Sequence, residues 1–255
     1  MCSSDLRLAG AVDLIEQFLD RWQWPFITSW QGKDMVRHDH PRFMGHAGVY
    51  GHRAANMAVR DADLIVAVGT RLALPMTGYD VSKFAPNLKK LVVVDVDGAE
   101  AAKIARNTTA YVMDAGAWIQ TAMGGKYFAT AEWSAHCAGL KLAYPWLESP
   151  LHDDTNGYMN SYRFMERLNK WLAPDQIIVT DMGTALLCAY PMLRLNGTQR
   201  LITSTGLGEM GFGLPAAIGA SVATGKPVLC LNCDGGLQMN LQELATIDHR
   251  SEEHT

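Results

Sequence analysis

The sequence predicts an α/β fold: two open, mostly parallel sheets with helices on both faces, the second domain incomplete. Three observations carry this expectation. Short runs such as "DLIVAVG", "KLVVVDVD" and "QIIVT" are apolar at successive positions, as in strands buried on both faces of a parallel sheet. Segments of helical spacing alternate with them. Aspartate and glycine stand where several of these strands stop, the end at which open parallel sheets bind ligands.

Each element follows from local pattern. Over 8–22, Val12, Ile15, Phe18, Leu19 and Trp22 recur at helical spacing and Pro25 closes the stripe. "PFITSW" reads as a strand, 53–61 as a helix and "DLIVAVG" as a buried strand. A loop with Pro75 and Gly78 leads to "KLVVVDVD"; "AYVMD" adds a short edge strand and 115–123 a helix. Between 139 and 160, Pro145, Pro150, Asp153, Asp154, Asn156 and Gly157 compose a linker. The alternation then restarts with a helix over 162–172, the strand "QIIVTDMG", a helix over 184–193 and the strand "RLITST". A glycine-rich turn and helix, the strand "PVLCLN" and a helix over 237–248 complete it. The expected domains are 7–138 and 161–250, joined by the linker.

With 255 residues, 48% hydrophobic and 19% charged, each domain can bury a core. A formal net charge of −4, without a basic patch or like-charge run, argues against a nucleic-acid partner. The most apolar long stretch, 210–223, is interrupted by Pro215 and too short to span a bilayer, and no secretory signal opens the sequence; no membrane partner is expected. The five cysteines read as reduced, mostly buried residues of a cytoplasmic protein. Cys230 and Cys233 spell CxxC, but inside a strand side chains three apart face opposite ways. His38, His40, His46 and His52 crowd one segment at spacings that fit no common zinc pattern; a glycine-rich loop without structure of its own is their expected host.

The candidate chemistry sits at strand ends: Asp95 and Asp97, Asp181 and Gly183, Gly206 and Gly208, Asp234 and Gly235. The last three pairs share one domain, so they can converge on one crevice. In "VLCLNCDGGLQMNLQELATI", Asp234 reads either as a helix cap or as the ligand of a cation beside an anion-binding turn. "GLGEMG" formally matches the dinucleotide fingerprint through Gly206, Gly208 and Gly211, with Asp234 at the spacing of a ribose-binding acid. That reading predicts a nicotinamide-dependent dehydrogenase. Against it, a complete α/β unit precedes the turn, and Asp234 runs into Gly235, Gly236 and a new helix. Spacing alone leaves both open, and a non-enzymatic nucleotide-binding fragment is a third reading.

"GLGEMGFGLPAAIGA" followed by "CDGGLQMNLQELATI" resembles the diphosphate-binding domain of thiamine diphosphate enzymes, in particular the acetolactate synthase-like group. "DADLIVAVGTRL", "TGYDVSKFAP" and "VVVDVDGAEAAKI" resemble the central domain of that family, so the likeness covers nearly all of 7–250. It implies thiamine diphosphate held through Mg²⁺ on Asp234, with Gly235 and Gly236 offering backbone N–H groups to the diphosphate. It implies that Gly183 and Thr184 approach the diphosphate, that the Gly208 carbonyl meets the cofactor's amino group, and that Met210 props its rings. The implied activity is decarboxylation of a 2-oxo acid and carboligation, in a homodimer or homotetramer. FAD is a possible ligand of the central domain, on Gly48, Tyr50, Gly69, Arg71 and Asp95, although Tyr50 stands where the family usually has histidine. The resemblance also implies a fragment, inactive by itself: the activating glutamate of an amino-terminal domain, the first strand of the central domain and the Asn completing the Mg²⁺ site are not matched. Cys233 replaces a glycine of the family's motif, and strain in the turn is expected there. The ends, "MCSSDL" and "RSEEHT", look unlike the family and more like translated adapter sequence.

Overall fold

A computed structural model describes residues 3–104 and 107–252. The chain forms two compact units, 1–148 and 149–255. In the first, the elements are α1 (Ser3–Leu8), α2 (Val12–Trp22), β1 (Phe26–Thr28), a 3₁₀ segment (Trp30–Met35), β2 (Phe43–His46), α3 (Arg53–Asp61) and β3 (Leu64–Val68). They continue with β4 (Lys90–Asp95), α4 (Gly98–Ala102), β5 (Thr108–Val112), α5 (Ala115–Ala122) and α6 (Ala131–Ala143). β1 pairs with β2, and β3, β4 and β5 pair in that order, all parallel.

The helical stripe does what its spacing demands: Ile15, Phe18, Leu19 and Trp22 of α2 are buried in one cluster with Trp118 and Ile119 of α5 and Val68 and Val94 of the sheet. That stripe does not begin at residue 8. Gly10 adopts a φ of 62°, which separates α1 from α2, and Leu6 of α1 is fully buried in the same cluster. α1 is thus part of the packed unit through Leu6. β2 and α6 correct the sequence expectation too. The Thr130 hydroxyl caps α6 by accepting the Trp133 N–H at 3.1 Å, so helix rather than linker occupies 139–143.

The second unit contains α7 (Ser161–Leu168) with a 3₁₀ turn (Asn169–Trp171), β6 (Ile177–Thr180), α8 (Thr184–Met192) and β7 (Arg200–Thr203). After them come α9 (Gly213–Thr224), β8 (Val228–Leu231), α10 (Asp234–Met239) and α11 (Glu243–Glu252). The strand order is β7-β6-β8, all parallel, with β6 buried along its whole length. From β6 the chain steps to one neighbour and then crosses to the other, so the strand order reverses at β6, where such sheets open a crevice at their C-terminal edge. Where one helix was expected over 237–248 there are two. Asn240 interrupts them and donates its amide to the Gly211 carbonyl at 2.5 Å. Among the described residues no helix is long and apolar enough to cross a membrane.

Candidate functional site

Asp181 follows the last residue of β6 and is fully buried. Its Oδ1 accepts the Met182 N–H at 2.9 Å, and its two oxygens share the Gly211 N–H at 3.1 and 3.0 Å. One carboxylate therefore ties the turn after β6 to the glycine-rich turn after β7. The turn after β8 closes on the same group: a Cβ on Gly236 would lie 1.6 Å from Asp181 Oδ2, so only glycine fits there. Asp181 was seen in the sequence as a strand end but not as a site residue. The available signal was the one that singled out Asp234, a carboxylate at the end of an apolar strand.

Around this clamp the expected residues take distinct places. Gly183 has a φ of 97° at the N-cap of α8, and its missing Cβ leaves room for Cys233 Sγ, 3.2 Å from where that Cβ would be. Thr184 opens α8 and is exposed, and Cys233 Sγ accepts the next N–H, that of Ala185, at 3.2 Å. Gly208 has a φ of 70°, and a Cβ there would meet Met182 Cε at 2.2 Å. Met210 is 48% exposed, and its Cε lies 2.5 Å from the position of a Gly235 Cβ; it covers the β8 turn instead of filling core. Asp234 is exposed at the start of α10 and accepts the Gly235 N–H through Oδ1 at 2.8 Å. Cys233 has φ −97° and ψ 166°, extended backbone open to any L-residue, so the strain expected from replacing glycine is absent.

Local geometry lends the dinucleotide alternative no support. "GLGEMG" lies in a loop, with its last glycine at a φ of 89° before α9 begins at Gly213. The strand before the turn, β7, is an edge strand.

In the first unit Gly48, Tyr50, Gly69, Arg71 and Asp95 lie on loops after β2, β3 and at the end of β4. Gly48 is held at both backbone groups by Asn56, its N–H donating at 2.8 Å and its carbonyl accepting at 2.9 Å. Asp95 is buried and accepts the Asp97 N–H at 2.9 Å. The Arg71 carbonyl accepts from Lys103, and the Tyr50 ring packs 5.6 Å from that of Trp30.

A buried polar group nearby went unseen. The histidine segment is not a structureless loop: His46 ends β2, with Nδ1 2.6 Å from the Thr28 hydroxyl and Nε2 3.2 Å from Lys33 Nζ, while His52 Nδ1 accepts the His46 N–H at 3.0 Å. Burial pulls the Lys33 ammonium down to about 7, against the opposing pull of Asp34. Burial, then the neighbouring Lys33, holds His46 well below the usual histidine range. Among the described residues no group of three His, Cys, Asp or Glu side chains is placed to hold a metal.

The second unit fits a diphosphate with Mg²⁺ in one specific sense. It offers an exposed carboxylate, Asp234, with Oδ1 engaged by its own turn, beside two glycines whose side-chain space is already taken. Mg²⁺ is characteristically bound by one or two carboxylates together with phosphate oxygens, so such a turn can hold the ion jointly with a diphosphate.

Comparison with known proteins gives family matches in both units. The family model "Thiamine pyrophosphate enzyme, central domain" matches residues 1–122, and "Thiamine pyrophosphate enzyme, C-terminal TPP binding domain" matches 181–253. Both matches take in chain ends that looked foreign in the sequence. The acetolactate synthase isozyme 2 large subunit of Escherichia coli (strain K12) is 32% identical over 95% of this chain and 43% of its own length. The probable acetolactate synthase large subunit of Methanocaldococcus jannaschii is 32% identical over 94% of this chain and 42% of its own. The acetolactate synthase large subunit of Lactococcus lactis is 31% identical over 95% and 42%. The chain spans less than half the length of these relatives.

Proposed function

The chain belongs to the thiamine pyrophosphate enzyme family, and from that premise we propose that it is the part of an acetolactate synthase-like enzyme that carries the diphosphate turn. The observation that supports this most directly is the convergence of the three strand-end turns on Asp181, with Asp234, Gly235 and Gly236 on the outer one. When bound there, thiamine diphosphate supplies an electron sink for decarboxylation of a 2-oxo acid and transfer of the product to a second carbonyl.

The chain's own residues have defined tasks in this reading. Asp234 would hold Mg²⁺ through the oxygen its turn leaves free. Gly235 and Gly236, having no side chains, let the turn close against Met210 and Asp181. The Gly235 N–H, held by Asp234 Oδ1 here, would turn to the diphosphate on binding. Gly183 and Thr184 border the diphosphate from the β6 side. Gly208 presents a carbonyl in a left-handed turn, and Met210, exposed and unbranched, bears on the cofactor rings. Asp181 positions these turns without reaching the ligand.

The same proposal includes a possible FAD on the loops of the first unit. Its support is that Gly69, Arg71 and Asp95 follow consecutive strands of one sheet; because Asn56 occupies both backbone groups of Gly48, contacts would come from Arg71, Tyr50 and the second oxygen of Asp95. A cytoplasmic location is supported by the free thiols of Cys137, Cys188, Cys230 and Cys233. Assembly of the full protein as a homodimer or homotetramer is part of the same proposal and rests on the family resemblance alone. The fragment alone is proposed to bind without turnover.

Calorimetric titration of thiamine diphosphate into the chain tests the reading. Binding heat is expected with Mg²⁺ and lost without it, and Asp234→Asn should weaken binding by about tenfold or more, some 1.4 kcal/mol. Binding of NADH in place of thiamine diphosphate would overturn it.

A further inference from the structure

Three free thiols, Cys188, Cys230 and Cys233, belong to the second unit, and strand alternation sorts them by face. Cys230 packs in one apolar cluster with Ile177, Val179 and Ala217 of α9, so its side chain faces α9. Cys233, three residues further on, faces the other way. The crossovers from β6 to β7 and from β7 to β8 run in opposite directions, which puts α8 on the face opposite α9. There Cys233 Sγ occupies the gap left by Gly183 and accepts the Ala185 N–H at 3.2 Å.

Cys188 extends to the same place. It follows Ala185 by three residues on α8, and side chains at that spacing share a helix face and lean toward the helix N-terminus. Cys188, only 5% exposed, therefore covers the first turn of α8, where the Cys233 sulfur sits. Electrostatics agree with this placement: burial first, then Cys233, push the Cys188 thiol up, while a hydrogen bond with Ser161 of α7 acts against them. Thr180 adds a polar group on this face. Its neighbour Val179 packs toward α9, so Thr180 projects toward α8, fully buried and with no hydrogen-bond partner for its hydroxyl among the described residues. A donor is thus available there for an oxygen carried on sulfur.

We propose that Cys188 and Cys233 are an oxidation-sensitive dithiol that closes to a disulfide between α8 and the turn after β8. The oxidant is a peroxide. Cys233, the less buried sulfur, attacks hydrogen peroxide; an S–O bond forms as the O–O bond breaks, giving a sulfenic acid and one water. The Cys188 thiol then attacks that sulfur. An S–S bond forms as the S–O bond breaks, the departing hydroxide takes the thiol proton as a second water, and the two sulfurs have passed two electrons to the peroxide. The crosslink fixes the backbone one residue before Asp234, so the state of the pair sets how far this turn moves against α8. The inference concerns the chain's own thiols and is independent of the cofactor.

Peroxide treatment of the folded chain, followed by alkylation, digestion and mass spectrometry, tests it. A Cys188–Cys233 linked peptide should appear, two hydrogens lighter than its parts. Two of the five thiols should be lost, and dithiothreitol should restore both. The rate of closure should not change with protein concentration, and Cys230→Ser should leave the link intact. Cys188→Ser should stop Cys233 at the sulfenic acid, which dimedone traps as an adduct. If that variant does not fold, Cys188→Ala gives the same readout, and the digest of the unaltered chain decides by itself. Recovery of both thiols fully alkylated after peroxide overturns the proposal. So does oxidation of Cys233 without a link to Cys188, or a link from Cys233 to Cys230 or to a second copy of the chain.

Discussion

Asp181 shows what a single carboxylate can do at the end of a buried strand. Its replacement by alanine leaves the Met182 and Gly211 N–H groups without their acceptor, at a cost of about 1–3 kcal/mol for each donor that stays buried. The expected outcome is a lower urea midpoint for Asp181→Ala with an unchanged slope, read by circular dichroism. Gly236→Ala should be at least as damaging, because its methyl group would overlap Asp181 Oδ2. Cys233 gives the opposite lesson. Its extended backbone needs no glycine, and its sulfur accepts the Ala185 N–H, so Cys233→Gly should lower stability by about 0.5–1 kcal/mol instead of relieving strain. Asp234 was legible because the strand end, the paired glycines and the helix start all sit within a few residues. Asp181 makes its contacts with residues 30 and 55 positions away, and spacing along the chain cannot display those.

Among the elements, long apolar strands were readable and short polar ones were not. "LIVAV" and "KLVVVD" announce buried parallel strands, whereas "FMGH" carries a glycine and a histidine that ordinarily mark a loop. β2 is buried nonetheless, because Thr28 and Lys33 reach the two ring nitrogens of His46 and His52 accepts its N–H. The break between α10 and α11 was missed for the same reason: Asn240 bonds a distant turn, which outweighs the local helical pattern. The polar group around β2 carries a pH dependence. An unfolded lysine keeps its proton up to about 10.5, but folded Lys33 releases it near 7, so between those values the unfolded state holds more protons. Stability should therefore rise with pH across that window, by up to about 1.4 kcal/mol per pH unit, and the penalty should be complete below it. His46, also depressed in the folded state, adds a loss of stability as pH falls below the ordinary histidine value. Urea midpoints at pH 7, 8 and 9 check the first effect. Lys33→Met should flatten the rise between pH 7 and 10 and reduce, without abolishing, the acid-side loss from His46, whose depression comes first from burial and then from Lys33.

At the scale of the whole chain, the expected linker ran from 139 to 160, and the two compact units divide inside it, after residue 148. Its early part is helix, but from residue 149 onward the segment is turn and bend: Leu151 is 67% exposed, Tyr158 79% and Met159 53%. Large apolar side chains exposed on non-helical backbone are what chymotrypsin needs, and cleavage requires several residues of extended chain to detach locally. The segment is held mainly by polar contacts. Arg163 pairs with Asp153 at 2.7 Å, Arg167 with Asp154 at 3.0 Å, and the Asn160 N–H donates to Asp154 at 2.8 Å. Solvent-exposed pairs of this kind contribute about 0–1 kcal/mol each and weaken as salt screens them. Brief digestion should therefore cut first after Leu151 or Tyr158, and mass spectrometry should find two fragments that persist, since each side of the cut has its own sheet and buried cluster. Raising the salt, or replacing both arginines by glutamine, should speed the first cut severalfold without exposing β3 or β6. Cleavage that begins within either sheet would mean that the division lies elsewhere.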